Sequence, residues 1–191
     1  MIDQISKERP GVKMKFKETE IKGCFIIESE LFNDGRGVFR RHFDAESFKE
    51  HGIVAEVNQC DISQNFERFT LRGFHYQIPP HSEGKTLSCI KGAIYDIVVD
   101  LRPDSKTFLK WCAFTLDEKN CISIHVPPGC ATAFLTLESN TTVHYYRSKN
   151  YNSESERGIR YNDPLFNFVW PHEPEMISEK DKSRPDFVVN K

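Results

Sequence analysis

The chain has no apolar run approaching the length of a bilayer-crossing helix, which argues against a helical membrane span. It has almost no net charge, with 26 Lys and Arg against 28 Asp and Glu. No basic footprint for nucleic acid follows from that balance. Its six cysteines, Cys24, Cys60, Cys89, Cys112, Cys121 and Cys130, form no C-x-x-C pair. They read as reduced core thiols of a cytoplasmic protein. Residues 1–15 are polar and charged, unlike a secretory leader. Long helical periodicity is scarce, whereas phenylalanine is abundant at 15 residues. Together these favour a β-rich domain.

Several kinds of chemistry lack their usual marks. There is no H-x-H and no converging His/His/carboxylate spacing, so no metal site is expected. Neither phosphate-cradling glycine loop is present. A G-x-S-x-G elbow is missing, and no cysteine stands beside a histidine in sequence, although such partners can meet in the fold alone.

What is present is a series of short strand-like runs with turn residues between them. With 191 residues the chain can bury one core. Residues 1–14 read as an extension, 15–187 as a single domain and 188–191 as a tail. Runs at 16–21, 24–28, 53–63, 71–77, 85–90, 93–100, 108–116, 121–126, 131–137 and 141–146 suggest a β-sandwich or barrel. The run 93–100 is richest in β-branched residues and should be central. One helix is expected over 45–51, capped by Asp44 and stopped by Gly52. Residues 178–181 read as a polar finish.

The densest chemistry lies in Leu71, Arg72, Gly73, Phe74, His75, Tyr76 and Gln77. Strand alternation puts Arg72, Phe74 and Tyr76 on one face and Leu71, Gly73, His75 and Gln77 on the other. A glycine within a strand marks close approach by a ligand or another backbone. Imidazole titrates near 6.5 in general, which suits His75 to proton abstraction near neutrality. Tyr145 can serve as an acid, and Arg36, Arg72 and Lys85 can hold phosphates or an oxyanion.

The sequence resembles the dTDP-4-dehydrorhamnose 3,5-epimerases and related nucleotide-sugar epimerases over roughly residues 16–185. The resemblance is carried by Asp34, Arg36, Gly37 and Phe39, by Gln59 and Ser63, and by the run 71–77. It continues through Gly84 and Lys85, residues 96–102, Pro128, Gly129, Phe134, Leu135 and Tyr145. Asn162, Asp163, Pro164, Trp170, Pro171, Ser178, Lys180 and Asp181 complete it.

It implies an all-β, cupin-like antiparallel jelly roll with one short helix, a cofactor-free and metal-free site, and a homodimer. The implied substrate is a nucleoside diphosphate 4-keto-6-deoxy hexose. His75 is then the base, Asp181 its carboxylate partner and Tyr145 the acid. Arg72 and Lys85 sit at the sugar and its oxyanion, with Gln59 among the substrate contacts. Arg36 and Phe39 belong to a nucleotide-binding stretch that reaches the neighbouring subunit's site.

Three positions depart from the family's pattern. Thr132 replaces a usual histidine, Arg41 a usual glutamate, and Asp61 a common asparagine. The Arg41 change leads to the expectation of a nucleotide other than thymidine. The competing functions are a ketoisomerase and a non-catalytic sugar-binding relative on the same barrel.

Overall fold

The structure is a computed structural model that describes residues 13–189. The expected extension falls outside these residues except for 13 and 14, and Met14 already opens the first strand. The elements run β1 (Met14–Glu18), β2 (Phe25–Ser29), β3 (Phe32–Asp34), β4 (Gly37–Phe39), α1 (Ala45–Glu50), β5 (Gln59–Asn65) and β6 (Thr70–Gln77). They continue with β7 (Lys85–Lys91), β8 (Ala93–Asp100), β9 (Trp111–Asp117), β10 (Ile122–Val126) and β11 (Cys130–Thr136). Last come β12 (Thr141–Arg147), β13 (Glu156–Gly158), β14 (Met176–Ile177) and α2 (Glu179–Lys182).

Two sheets form a cupin-like jelly roll. One has the order β1-β2-β10-β7-β12-β5 and the other β13-β6-β11-β8-β9, with β14 beside β6. Pairing is antiparallel except between β14 and β6. Between the sheets lies a core of Leu87, Val98, Leu116, Ile124 and Val143. A second core, around Ile97, Val99, Ala133 and Ile159, packs on the far side of β8. Strand β8 is therefore covered on both faces, which is why its sequence is mostly apolar, interrupted only by Asp96 and closed by Asp100. A third cluster seats Phe48 of α1 on Phe25, Ile27 and Tyr146 of the first sheet.

Helix α1 starts where expected, because the Asp44 carboxylate accepts from Ser47 N–H at 3.0 Å. It stops one residue early, at Glu50. The strand expected over 53–63 begins only at Gln59, since Ile53 N–H donates to Phe48 O and wraps the helix end. The strand expected over 108–116 starts at Trp111. Ahead of it, Asp100 ties up Arg102, Ser105 and Thr107 in tight turns.

Residues 178–181 are not a plain polar finish. Ser178 caps a second helix, its hydroxyl accepting from Asp181 N–H at 3.1 Å. The cysteines also differ from expectation. Cys24, Cys89 and Cys130 are buried, but Cys60 is exposed. On the edge strand β5 the burial alternates, and Cys60 falls in the outward register.

Candidate active site

The site is built on a fault in the β6–β11 ladder. Thr132 pairs with His75 but Phe134 pairs with Arg72, so β6 carries one extra residue there. Gly73 takes φ +117°, and a Cβ on it would lie 2.6 Å from the Thr132 carbonyl oxygen and 2.7 Å from Ala133. The close approach that glycine permits is thus by another backbone.

The extra residue corrects the face assignment read from strict alternation. Arg72 and His75, three positions apart, line the same cavity. Phe74, between them, is fully buried on the opposite side and stacks on Phe168 at 4.3 Å.

His75 donates its Nε2–H to Asp181 Oδ1 at 2.7 Å. The carboxylate arrives from far along the chain because β14 lies parallel to β6, Ile177 beside Leu71, and α2 follows at once. Burial acts to raise the Asp181 pKa. The hydrogen bond and charge of His75, with help from Ser178 and the Gly73 backbone, outweigh it and hold the carboxyl below its ordinary value. An ionised Asp181 fixes the proton on Nε2 and leaves Nδ1 as the basic nitrogen of a neutral His75.

Tyr145 faces this pair from β12 of the other sheet and lines the same cavity. Burial, with Asp61 nearby, raises its pKa against Arg147 and Arg72. The phenol therefore keeps its proton at neutral pH. Lys85 lies beside it, its Nζ 5.9 Å from the ring centre. Burial, joined by Arg147, holds Lys85 below the usual lysine value against the pull of Glu83, Asp96 and Asp61.

Arg72 is braced by Asn65, whose Oδ1 accepts from Nε at 2.6 Å. Thr132 lines the cavity and donates its hydroxyl to Asp96 Oδ1 at 2.8 Å. Asp96 is fully buried, and burial pushes its carboxyl up to about 8 despite Thr132 and Lys85. Its other oxygen has no hydrogen-bond partner among the described residues.

A mouth opens beyond His75, Lys85 and Tyr145. Arg147 and Lys180 line it; neither was among the expected site residues, although Lys180 helped carry the resemblance. Arg147 pairs with Asp61 at 2.7 Å, and Lys180 with Glu156 at 2.6 Å. Arg147 sits two residues from Tyr145 on one strand, so alternation alone could have found it. Lys180 had a weaker signal, one helical position before Asp181. Gln59 stands behind the mouth, where its side-chain oxygen accepts from Tyr151 N–H, and Tyr151 lines the mouth.

Arg36 and Phe39 are not brought to this cavity. They lie on the β3–β4 hairpin, where Arg36 Nη2 reaches Asp34 at 2.5 Å. Arg41 Nη1 pairs with Asp44 at 3.1 Å, at the start of α1. That contact gives the expectation of a non-thymidine nucleotide no structural support. Among the described residues no group of three or more His, Cys, Asp or Glu is arranged to hold a metal ion.

The chemistry open to this arrangement is proton removal on one side of a bound molecule and proton delivery on the other, with cations available for a developing oxyanion. The family model described as dTDP-4-dehydrorhamnose 3,5-epimerase matches residues 18–188. The epimerase of that name from Shigella flexneri is 34% identical over 176 residues, covering 92% of this chain and 97% of its own.

Among solved structures, the Bacillus anthracis enzyme with TDP and PPi bound superposes with a TM-score of 0.88 at 33% identity, covering 92% of this chain and 100% of that one. The Legionella pneumophila enzyme in complex with dTDP-4-keto-L-rhamnose gives 0.85 at 32% identity, covering 90% and 92%. Motif order, fold and all three comparisons agree, and the chain belongs to the dTDP-4-dehydrorhamnose 3,5-epimerase family.

Proposed function

We propose that the protein inverts C3, C5 or both of a nucleoside diphosphate 4-keto-6-deoxy hexose, in deoxysugar or surface-polysaccharide biosynthesis. The observation that carries this reading is the shared cavity. It holds His75, hydrogen-bonded to Asp181, on one sheet and a protonated Tyr145 on the facing sheet.

A ketone at C4 acidifies the protons on C3 and C5. Nδ1 of His75 takes one of them while Asp181 stabilises the imidazolium that forms. Charge moves to O4, where Lys85 and Arg72 supply cationic stabilisation. Tyr145 then delivers a proton to the opposite face, and the stereocentre inverts. The carbon skeleton is neither oxidised nor reduced overall, so the scheme needs no redox cofactor and no metal.

The substrate class is supported by the ligand of the Legionella structure and the TDP of the Bacillus structure. Arg147 and Lys180 at the mouth suit a diphosphate. Thr132, Arg41 and Asp61 bear on which nucleotide and which carbon are taken. The reading is tested by incubating the protein with such a sugar nucleotide in D2O and following the ring protons by NMR. Exchange and inversion at C3 or C5 support it. A ketone that moves along the ring, or no change with any nucleotide, contradicts it.

The working form is a homodimer. The β3–β4 hairpin is exposed along its whole length, with Val38 60% and Phe32 39% accessible, and Arg36 upon it lines no part of its own chain's cavity. A second copy is the natural place for that hairpin. Light scattering at micromolar concentration should return twice the chain mass, and a monomer would exclude the arrangement. Six unpaired cysteines suit a cytoplasmic location.

A further inference from the structure

A second chain of titratable groups lies outside the cavity, on the outward face of the β7–β12–β5 sheet. Cys60 Sγ stands 3.0 Å from His144 Nε2. The other nitrogen of that ring, Nδ1, is 2.8 Å from His42 Nε2. Ser88 Oγ is 3.1 Å from the same His42 nitrogen. His42 is held in turn by Tyr146, whose hydroxyl donates to its carbonyl oxygen at 3.3 Å. The two imidazoles are in contact, with ring centres 4.6 Å apart.

This is the order in which an activated nucleophile is built: a thiol, a base within reach of it, and a third group that fixes the base. Sequence order conceals it, because Cys60 and His144 are 84 residues apart. Access distinguishes this thiol too. Cys24, Cys89 and Cys130 are buried, whereas Cys60 is exposed and its neighbour on the same face, Ile62, is 63% accessible.

We propose that Cys60 is a nucleophilic thiol, with His144 as its base and His42 as the group that orients the base, and that it is a site of thiol–disulfide exchange with small disulfides. Burial, with His144 and Arg40 nearby, pushes His42 down to about 4, and burial lowers His144 as well. Both rings are therefore neutral at neutral pH. His144 Nε2 keeps a free lone pair 3.0 Å from the thiol, and that contact, not an enhanced basicity, is what serves the proton transfer. Once His144 holds that proton on Nε2, its Nδ1–H is directed at a neutral His42 Nε2, which accepts it.

The exchange itself is balanced. The Cys60 thiolate sulfur attacks one sulfur of the disulfide. A new S–S bond forms as the old one breaks, and the other half leaves as a thiolate that takes its proton from His144. The adduct would sit on the back of the cavity wall. Gln59 and Asp61, on either side of Cys60, brace Tyr151 and Arg147 at the mouth.

The test uses the native protein and the aromatic disulfide 5,5′-dithiobis(2-nitrobenzoic acid), with the labelled cysteine identified by peptide mass. An unassisted thiol is only a few per cent ionised near neutrality, so assistance should be worth about tenfold or more in rate. One equivalent should react that much faster than N-acetylcysteine amide and map to Cys60. The fast phase should vanish in Cys60→Ser and fall to the unassisted rate in His144→Gln. If His144→Gln does not fold, the comparison with the free thiol and the labelled position decide the matter. The proposal is overturned if native Cys60 reacts no faster than the free thiol, if another cysteine takes the label first, or if folded His144→Gln keeps the wild-type rate.

Discussion

Replacing Gly73 by alanine tests whether the extra residue in β6 is what assembles the site. The added methyl would sit 2.6 Å from the Thr132 carbonyl oxygen and 2.7 Å from both Cα and Cβ of Ala133. None of these can swing away, since they belong to a fully buried stretch of β11. Overpacking of that kind costs about 1–3 kcal/mol. A φ of +117° is unfavourable for any L residue and adds about 1–3 kcal/mol.

The sum, roughly 2–6 kcal/mol, is a large share of the 5–15 kcal/mol typical of a domain. Urea unfolding should show the loss as a lower midpoint. Any folded fraction should have lost activity, because relief of the clash moves His75 relative to Arg72. Gly35→Ala is the control: its Cβ would meet nothing within 4 Å, so its effect should stay within about 0.5 kcal/mol. A Gly73→Ala protein as stable and active as wild type would refute the reasoning.

Asp181→Asn should lower kcat at neutral pH by about 10²–10⁴-fold, because an amide no longer fixes the Nε2 proton or offsets the imidazolium; an unchanged rate would contradict the pairing. Arg36→Ala should weaken substrate affinity more than turnover, as expected of a phosphate grip, and a loss confined to kcat would count against it. Asp96 has a folded-state pKa of about 8, above its unfolded value of about 3.9. Its contribution to stability is therefore complete below about pH 4 and lost as pH rises towards 8. Asp96→Asn should flatten that slope in unfolding experiments, and an identical slope would place the carboxylate elsewhere.

Where burial alone decides a segment, its sequence was enough. β8 occupies 93–100 as read, because both of its faces are covered and its sequence is mostly apolar and rich in β-branched residues, with Asp96 and Asp100 the exceptions. Segments held by tertiary contact left little local signal. The two residues of β14 and the four of α2 are ordered by docking on β6, and neither length carries a period. Gly73 announced a close approach, but not that the approach would add a residue and turn Arg72 towards His75.

His75 and Tyr145 were legible from side-chain chemistry. Asp181, 106 residues from His75, was legible only through family resemblance. Cys60 was misread as a core thiol because composition does not mark an edge strand. The pairing of His42 with His144 left no mark in the sequence, because the fold alone brings the two together.

The central claim is that a base and an acid work from opposite sheets, and exchange measured separately from inversion tests it most directly. Wild type, His75→Asn and Tyr145→Phe would each be incubated in D2O with a nucleoside diphosphate 4-keto-6-deoxyglucose and followed by proton NMR. His75→Asn should lose both deuterium uptake and inversion, by about 10²–10⁴-fold, since no enolate forms. Tyr145→Phe should still wash deuterium into C3 or C5 while inversion falls away, since His75 can remove and return a proton on its own face. Inversion at the wild-type rate by Tyr145→Phe, or continued deuterium uptake by His75→Asn, would contradict the account.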